Sequence, residues 1–112
     1  MARLTRTYTP QTLDAARVLG NQIALARRER GWTAAELAER VGVNVRTLAN
    51  VEQGRPTVAL GVAFEAATLL GIRLFGAEGP ELAALARRGK DTLALLPSRV
   101  YHSRNPVADN DF

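Results

Sequence analysis

Apolar side chains recur three and four positions apart between Pro10 and Arg30: Leu13, Ala16, Leu19, Ile23 and Ala26. That spacing predicts a helix with one buried face. Thr9-Pro10 supplies an N-cap and a first-turn proline, and Gly31 supplies a stop. Gly20 falls mid-helix and is a candidate interruption. Two shorter periodic segments follow. Leu37, Ala38 and Val41 form the apolar side of the first; Leu48 and Val51 form that of the second. Further on, Thr57 is placed to cap a fourth helix over Val58 to Leu70, with Leu60, Phe64, Ala67 and Leu70 inward and Gly71 ending it. Ile72-Arg73-Leu74-Phe75 alternates apolar and polar positions and is β-prone, which predicts a short edge strand. A last helix is expected from Pro80 to Arg88, closed by Gly89, with a helical turn around Thr92 to Leu96 before Pro97. Beyond Ser98 no helical stripe remains, and the composition turns from basic to acidic.

The segment from Thr33 to Gly54, TAAELAERVGVNVRTLANVEQG, organises the rest. Thr33 followed by Glu36 is the reciprocal spacing of a capping box. Gly42 can take the positive φ that ends a helix, and Asn44 is a good N-cap for the next. Ala38 and Gly42 are small, as two helices crossing closely at a turn require. This is the pattern of a helix-turn-helix, whose second helix enters the DNA major groove. With Leu48 and Val51 inward, Val45, Arg46, Ala49 and Asn50 face outward. Arginine pairs bidentately with guanine and asparagine with adenine, and small apolar groups touch thymine methyls. A solvated surface is the alternative for these four. Asn44, Thr47, Gln53 and Arg55 flank the face and are candidates for phosphate contacts. Asn44 and Thr33 have two readings each, helix cap and phosphate contact. Trp32 is a packing residue that covers the motif.

Composition changes this picture little. The 112 residues suffice for one small domain, and 46% hydrophobic with 23% charged residues is ordinary for a globular protein. The net charge of +4 comes almost wholly from arginine, since Lys90 is the only lysine. Arginine suits phosphate contacts, although moderate basicity alone is weak evidence for nucleic acid. There is no cysteine, hence no disulfide framework and no thiolate metal site. No apolar run has the length of a membrane span, and no signal-peptide core precedes the first helix, so the expected location is the cytoplasm. Catalysis has little support. His102 is alone, Ser98 and Ser103 are isolated hydroxyls, and no phosphate-cradling glycine loop or metal-ligand spacing occurs. The chain reads as a non-enzyme without a cofactor.

The motif also carries a resemblance. Leu37-Ala38, Gly42-Val43, Leu48, Glu52-Gln53-Gly54 and Leu70-Gly71-Ile72 together resemble the lambda-repressor/Cro-like (XRE) family over about Leu19 to Ile72. The resemblance implies an all-α, five-helix lambda-repressor-like DNA-binding domain that binds a palindromic double-stranded operator as a homodimer and represses transcription. It maps the base-contacting positions onto Val45, Arg46, Ala49 and Asn50. It also implies that Glu52, which would otherwise repel phosphate, pairs with Arg27 on the first helix; a simple exposed glutamate is the alternative. The family usually has glutamine at the position of Ala34, so one phosphate contact is in doubt.

Within the family the arrangement is similar to HipB-type antitoxins, which neutralise HipA-type kinase toxins and autoregulate their operon. The features in common are the small size, the Ile72-Arg73-Leu74-Phe75 segment and the tail from Leu96-Pro97-Ser98 to Phe112. This likeness implies a dimer formed by a strand of Ile72, Arg73, Leu74 and Phe75, and a HipA-like toxin as a further partner. The expected organisation is an arm over 1–9, with Arg3 and Arg6 as candidate DNA contacts, a DNA-binding domain over 10–76, a helical dimerisation extension over 77–96 and a flexible tail over 97–112. Val100, Tyr101, Val107 and Phe112 are apolar anchors along that tail, whose Asp109 and Asp111 argue against a DNA arm. A stand-alone repressor and a protein-interaction adaptor are the alternative functions.

Overall fold

A computed structural model of the chain describes residues 7–100. Five helices make up its regular structure: α1 Pro10–Glu29, α2 Ala34–Val41, α3 Val45–Glu52, α4 Leu60–Leu69 and α5 Gly79–Ala94. Among the described residues there is no strand. The chain divides into two units, one ending at Gly76 and the other beginning at Ala77.

In the first unit α1 runs unbroken for 20 residues. Thr9 caps it by accepting from the Thr12 N–H at 3.3 Å, and Pro10 occupies its first turn, where no N–H is needed. Gly20 does not interrupt it. This glycine is buried, and a Cβ there would lie 2.5 Å from the Val51 carbonyl oxygen and 2.7 Å from that of Glu52. It permits a close crossing of α1 and α3 that no larger residue allows.

At α2 both halves of the capping box are made. The Glu36 N–H donates to Thr33 Oγ1 at 3.1 Å, and the Thr33 N–H donates to Glu36 Oε1 at 3.1 Å. Gly42 ends α2 at φ 88, and the Gly42 and Val43 N–H groups both donate to the Ala38 carbonyl at 2.9 Å. That left-handed residue turns the chain into α3, whose cap is Asn44.

Ile23, Leu37 and Leu48 are wholly buried at the centre of the unit, one from each of α1, α2 and α3. Burying each such side chain is worth about 1.5–3 kcal/mol. Ala63, Ala66, Ala67 and Leu70 close the core from α4. Its three alanines let α4 lie close to the others. Trp32 is half-buried against this cluster, with the guanidinium of Arg40 over its ring at 4.1 Å and that of Arg30 at 5.2 Å.

Three expected elements are corrected. Helix four begins at Leu60, not Val58; its N-cap is Ala59, without a side-chain cap bond, so Thr57 does not cap it. Leu60 is 68% exposed rather than inward; it stands at the first position of α4, whose buried residues are Ala63, Ala66 and Ala67. The run from Ile72 to Phe75 keeps its alternation, with Ile72 and Leu74 half-buried and Arg73 and Phe75 exposed, yet is not a strand in the single chain. Leu74 makes only a single bridge, too little for a ladder, and Phe75 sits at φ 58, outside the extended region. In the second unit, Gly89 does not close the last helix, which continues to Ala94. A mid-helix glycine costs about 1 kcal/mol relative to alanine but does not by itself stop a helix.

Candidate nucleic-acid interface

Recognition of a duplex by an inserted helix needs a rigid helix with one side held and the other open. In α3, Leu48 and Val51 are buried while Val45 and Arg46 are exposed and Ala49 and Asn50 half-exposed. Arg46 has no hydrogen bond or ion pair among the described residues, and neither has the Asn50 side chain. Their donors and acceptors are available to a ligand.

Both ends of α3 are fixed. At its start Asn44 Oδ1 accepts from the Thr47 N–H at 2.8 Å. The cap occupies only the oxygen of that amide, so its NH2 still has donors to offer; capping and phosphate contact are compatible at Asn44. The same holds at Thr33, whose Oγ1 accepts from Glu36 while its hydroxyl proton can donate outward. At the end of α3, Arg27 Nε donates to Glu52 Oε2 at 2.7 Å and its Nη2 donates to Glu52 Oε1 at 3.0 Å. The third guanidinium nitrogen donates to the Trp32 carbonyl at 2.9 Å. The side chains of this pair are only 10% and 12% exposed. Its hydrogen bonds to Glu52 raise the Arg27 pKa further above its ordinary value. Gly54 follows at φ 74, where a Cβ would meet the Arg17 Cα at 2.6 Å.

Of the flanking candidates, Gln53 and Arg55 are exposed and Thr47 is half-exposed. Ala34 is half-buried against the core, and its methyl has no donor for a phosphate. Ile72, Arg73, Leu74 and Phe75 lie after α4 rather than on this face; Phe75 is 77% exposed and packs edge-on against Phe64, ring centroids 6.0 Å apart. Arg3, Arg6, Tyr101, His102, Ser103, Arg104, Val107, Asp109, Asp111 and Phe112 lie outside the described residues.

Sequence reasoning missed part of this surface. Asn21, Ala24, Leu25 and Arg28 of α1 face Ala49, Glu52 and Gln53 of α3 across an open groove of about 430 Å³. The available signal was that these α1 residues fall off the core stripe, which says that they are exposed but not what they adjoin.

No group of three or more histidine, cysteine or acidic residues among the described residues is placed to hold a metal ion, and no helix there is long and apolar enough to cross a membrane.

Residues 23–76 match the helix-turn-helix family HTH_3. No curated protein matches the chain in sequence. Among solved structures, a HipB–O4 20mer complex is 25% identical with a TM-score of 0.49, covering 68% of this chain and 99% of that one. A HipA–HipB–O2–O3 complex is 25% identical with a TM-score of 0.49, covering 67% and 97%. A HipB variant with an O2 20mer is 26% identical at the same TM-score, covering 69% and 99%. Residues 23–76 are thus similar to the helix-turn-helix family of DNA-binding regulators, of the XRE type.

Proposed function

We propose that the protein is a sequence-specific transcriptional repressor that binds a palindromic operator as a homodimer and serves as the antitoxin of a HipA-like kinase toxin. The observation that carries the DNA reading is the outward face of α3. Arg46 and Asn50 stand with their hydrogen-bonding groups available, on a helix whose other side and both ends are locked. Arg46 reads guanine, Asn50 reads adenine, and Val45 and Ala49 meet thymine methyls. Thr33, Asn44, Thr47, Gln53 and Arg55 hold the phosphates on either side. Repression is steric, by occupancy of the promoter.

Two features support a dimer through the segment after α4. Phe75 combines high exposure with a left-handed backbone, a conformation that costs a bulky residue about 1–2 kcal/mol. Ile72 and Leu74 present the residue alternation of a strand that, beyond one bridge at Leu74, has no ladder mate. Cross-strand pairing about a two-fold axis supplies that mate and covers Phe75. The antitoxin role rests on the sequence resemblance alone.

The test is selection of binding sites from a random-sequence duplex library, followed by comparison of the wild type with Arg46→Ala on the selected site. The variant should lose about 1–3 kcal/mol of specific binding and relax one base position per half-site. Unchanged affinity and specificity would remove α3 as the reader.

A further inference from the structure

A helix lying in the major groove is about as wide as the groove itself, roughly 10–12 Å in both cases. The elements that flank its outward face therefore meet the sugar–phosphate ridges on either side. On one flank of α3 that element is α1. The groove between them has Ala49 of the recognition face and the flanking Gln53 as one wall and Asn21, Leu25 and Arg28 as the other. We propose that Arg28, with Asn21 beside it, binds a backbone phosphate of the operator across this groove from Gln53. The inference rests on α3 being the DNA reader, and extends the interface to a helix outside the helix-turn-helix.

Charge supports an anion there. Glu52 also lines the groove, but both its oxygens already accept from Arg27, so its charge is balanced. Arg28 is exposed and makes no ion pair among the described residues, which leaves the groove with an uncompensated cation. Its planar fork matches two phosphate oxygens. The amides of Asn21 and Gln53 supply neutral donors from opposite walls. Leu25, 62% exposed, offers an apolar surface of the kind a deoxyribose covers. The bland role for Arg28 is electrostatic support of the C-terminus of α1, where it sits in the last turn. That role affects stability and leaves the salt dependence of DNA binding unchanged, so the two are separable.

The experiment is fluorescence anisotropy of the full chain on a library-selected duplex and on a scrambled duplex of equal length, across a KCl series. The variants are Arg28→Ala, Arg28→Lys and, as a marker of base reading, Arg46→Ala. Arg28→Ala should weaken both duplexes by the same factor, roughly five- to tenfold near 0.1 M salt, and lower the slope of log K against log salt by about 0.9 per protomer. Arg28→Lys should keep the slope. Ethylation interference should lose one phosphate per half-site with Arg28→Ala. An unchanged slope, with or without a lower melting temperature, overturns the phosphate role. A loss confined to the selected duplex overturns it as well, by making Arg28 a base reader. If Arg46→Ala relaxes specificity while Arg28→Ala does nothing, only this inference falls. If the wild type prefers no duplex, the DNA-reader assignment of α3 falls and takes this inference with it.

Discussion

Removing Glu52 tests how the recognition helix is held. In Glu52→Leu the Arg27 guanidinium, 10% exposed, loses the acceptors at 2.7 and 3.0 Å and keeps only the Trp32 carbonyl. A nearly buried cation then lacks its counter-ion. Breaking one side of such a pair costs about 3–5 kcal/mol, whereas an exposed pair is worth about 1 kcal/mol or less. A small domain has only about 5–15 kcal/mol of stability in total. The single change should therefore remove a large share of it and lower the melting temperature by roughly 12–40 °C at about 4–8 °C per kcal/mol. Arg27→Met should cost a similar amount, by stranding the carboxylate. The double variant Arg27→Met/Glu52→Leu puts two apolar side chains where the pair lay and should recover most of the loss, because such replacements are often neutral.

The assay is urea unfolding of all four proteins followed by circular dichroism. Urea is preferable to guanidinium, which would screen the pair as a salt. Two single losses of about 3–5 kcal/mol with a nearly neutral double variant imply a coupling of at least about 5 kcal/mol. A coupling below about 0.5 kcal/mol would refute the reasoning, because contacting groups in one network do not behave additively. DNA binding, measured where each variant is fully folded, should fall much less than stability does. A variant of wild-type stability that no longer bound DNA would mean that the pair acts on the ligand rather than on the fold.

Further outcomes follow from other contacts. Gly20→Ala gains about 1 kcal/mol of helix propensity but drives a methyl to 2.5 Å from the Val51 oxygen, so thermal denaturation should show net destabilisation; a rise in melting temperature would contradict the close crossing. The Glu36 pKa lies below its ordinary value of 4.5 because the Thr33 backbone N–H and then the Thr33 side chain hydrogen-bond to it. The folded state thus favours the carboxylate, and its stabilisation is complete above about 4.5 and fades as pH falls through the lower folded value. The stability gap between wild type and Glu36→Gln should therefore narrow on acidification, and a gap that widens would reverse the assignment. Leu74→Pro removes a backbone donor and should weaken dimerisation in sedimentation equilibrium, while a monomeric wild type at micromolar concentration would discard the dimer segment.

Legibility in the sequence followed the range of each interaction. The caps at Thr9, Thr33 and Asn44 and the stop at Gly42 are local, settled by residues within a turn of one another, and the periodic faces of α1, α2 and α3 needed only the helical repeat. Gly20 was opaque for the opposite reason. A glycine read along its own helix is a weakness; only the carbonyls of Val51 and Glu52, about thirty residues away, make it a requirement. Thr57 is a capping residue by type and Gly89 a terminator by type. Whether either acts depends on backbone that the local sequence does not determine. The flank made by Asn21, Leu25 and Arg28 was invisible because exposure can be read from periodicity, whereas adjacency to another helix cannot.

The same contrast explains why the recognition helix is both short and well fixed. Eight residues make little more than two turns, too few to hold a helix in isolation. Its rigidity must come from outside, and its two ends receive it by different means. The start has Asn44, a cap that leaves amide donors for a phosphate. The end has a bidentate ion pair, plus two glycines whose missing Cβ atoms let α1 approach the backbone. The tightest restraint thus falls at Val51–Gly54, while Val45 and Arg46 project from the first turn into solvent. An interface built this way can change its base-reading residues with little effect on the fold, since neither side chain packs in the core. It cannot change Gly20, Arg27 or Glu52 in the same manner. Substitutions at Val45 and Arg46 should accordingly alter which operator is bound at nearly constant stability, within about 0.5 kcal/mol. Substitutions at the three anchoring positions should alter stability first and binding only through it. A library randomised at all five positions and sorted separately for folding and for DNA binding checks this division, and it fails if folding selects as strongly at Arg46 as at Arg27.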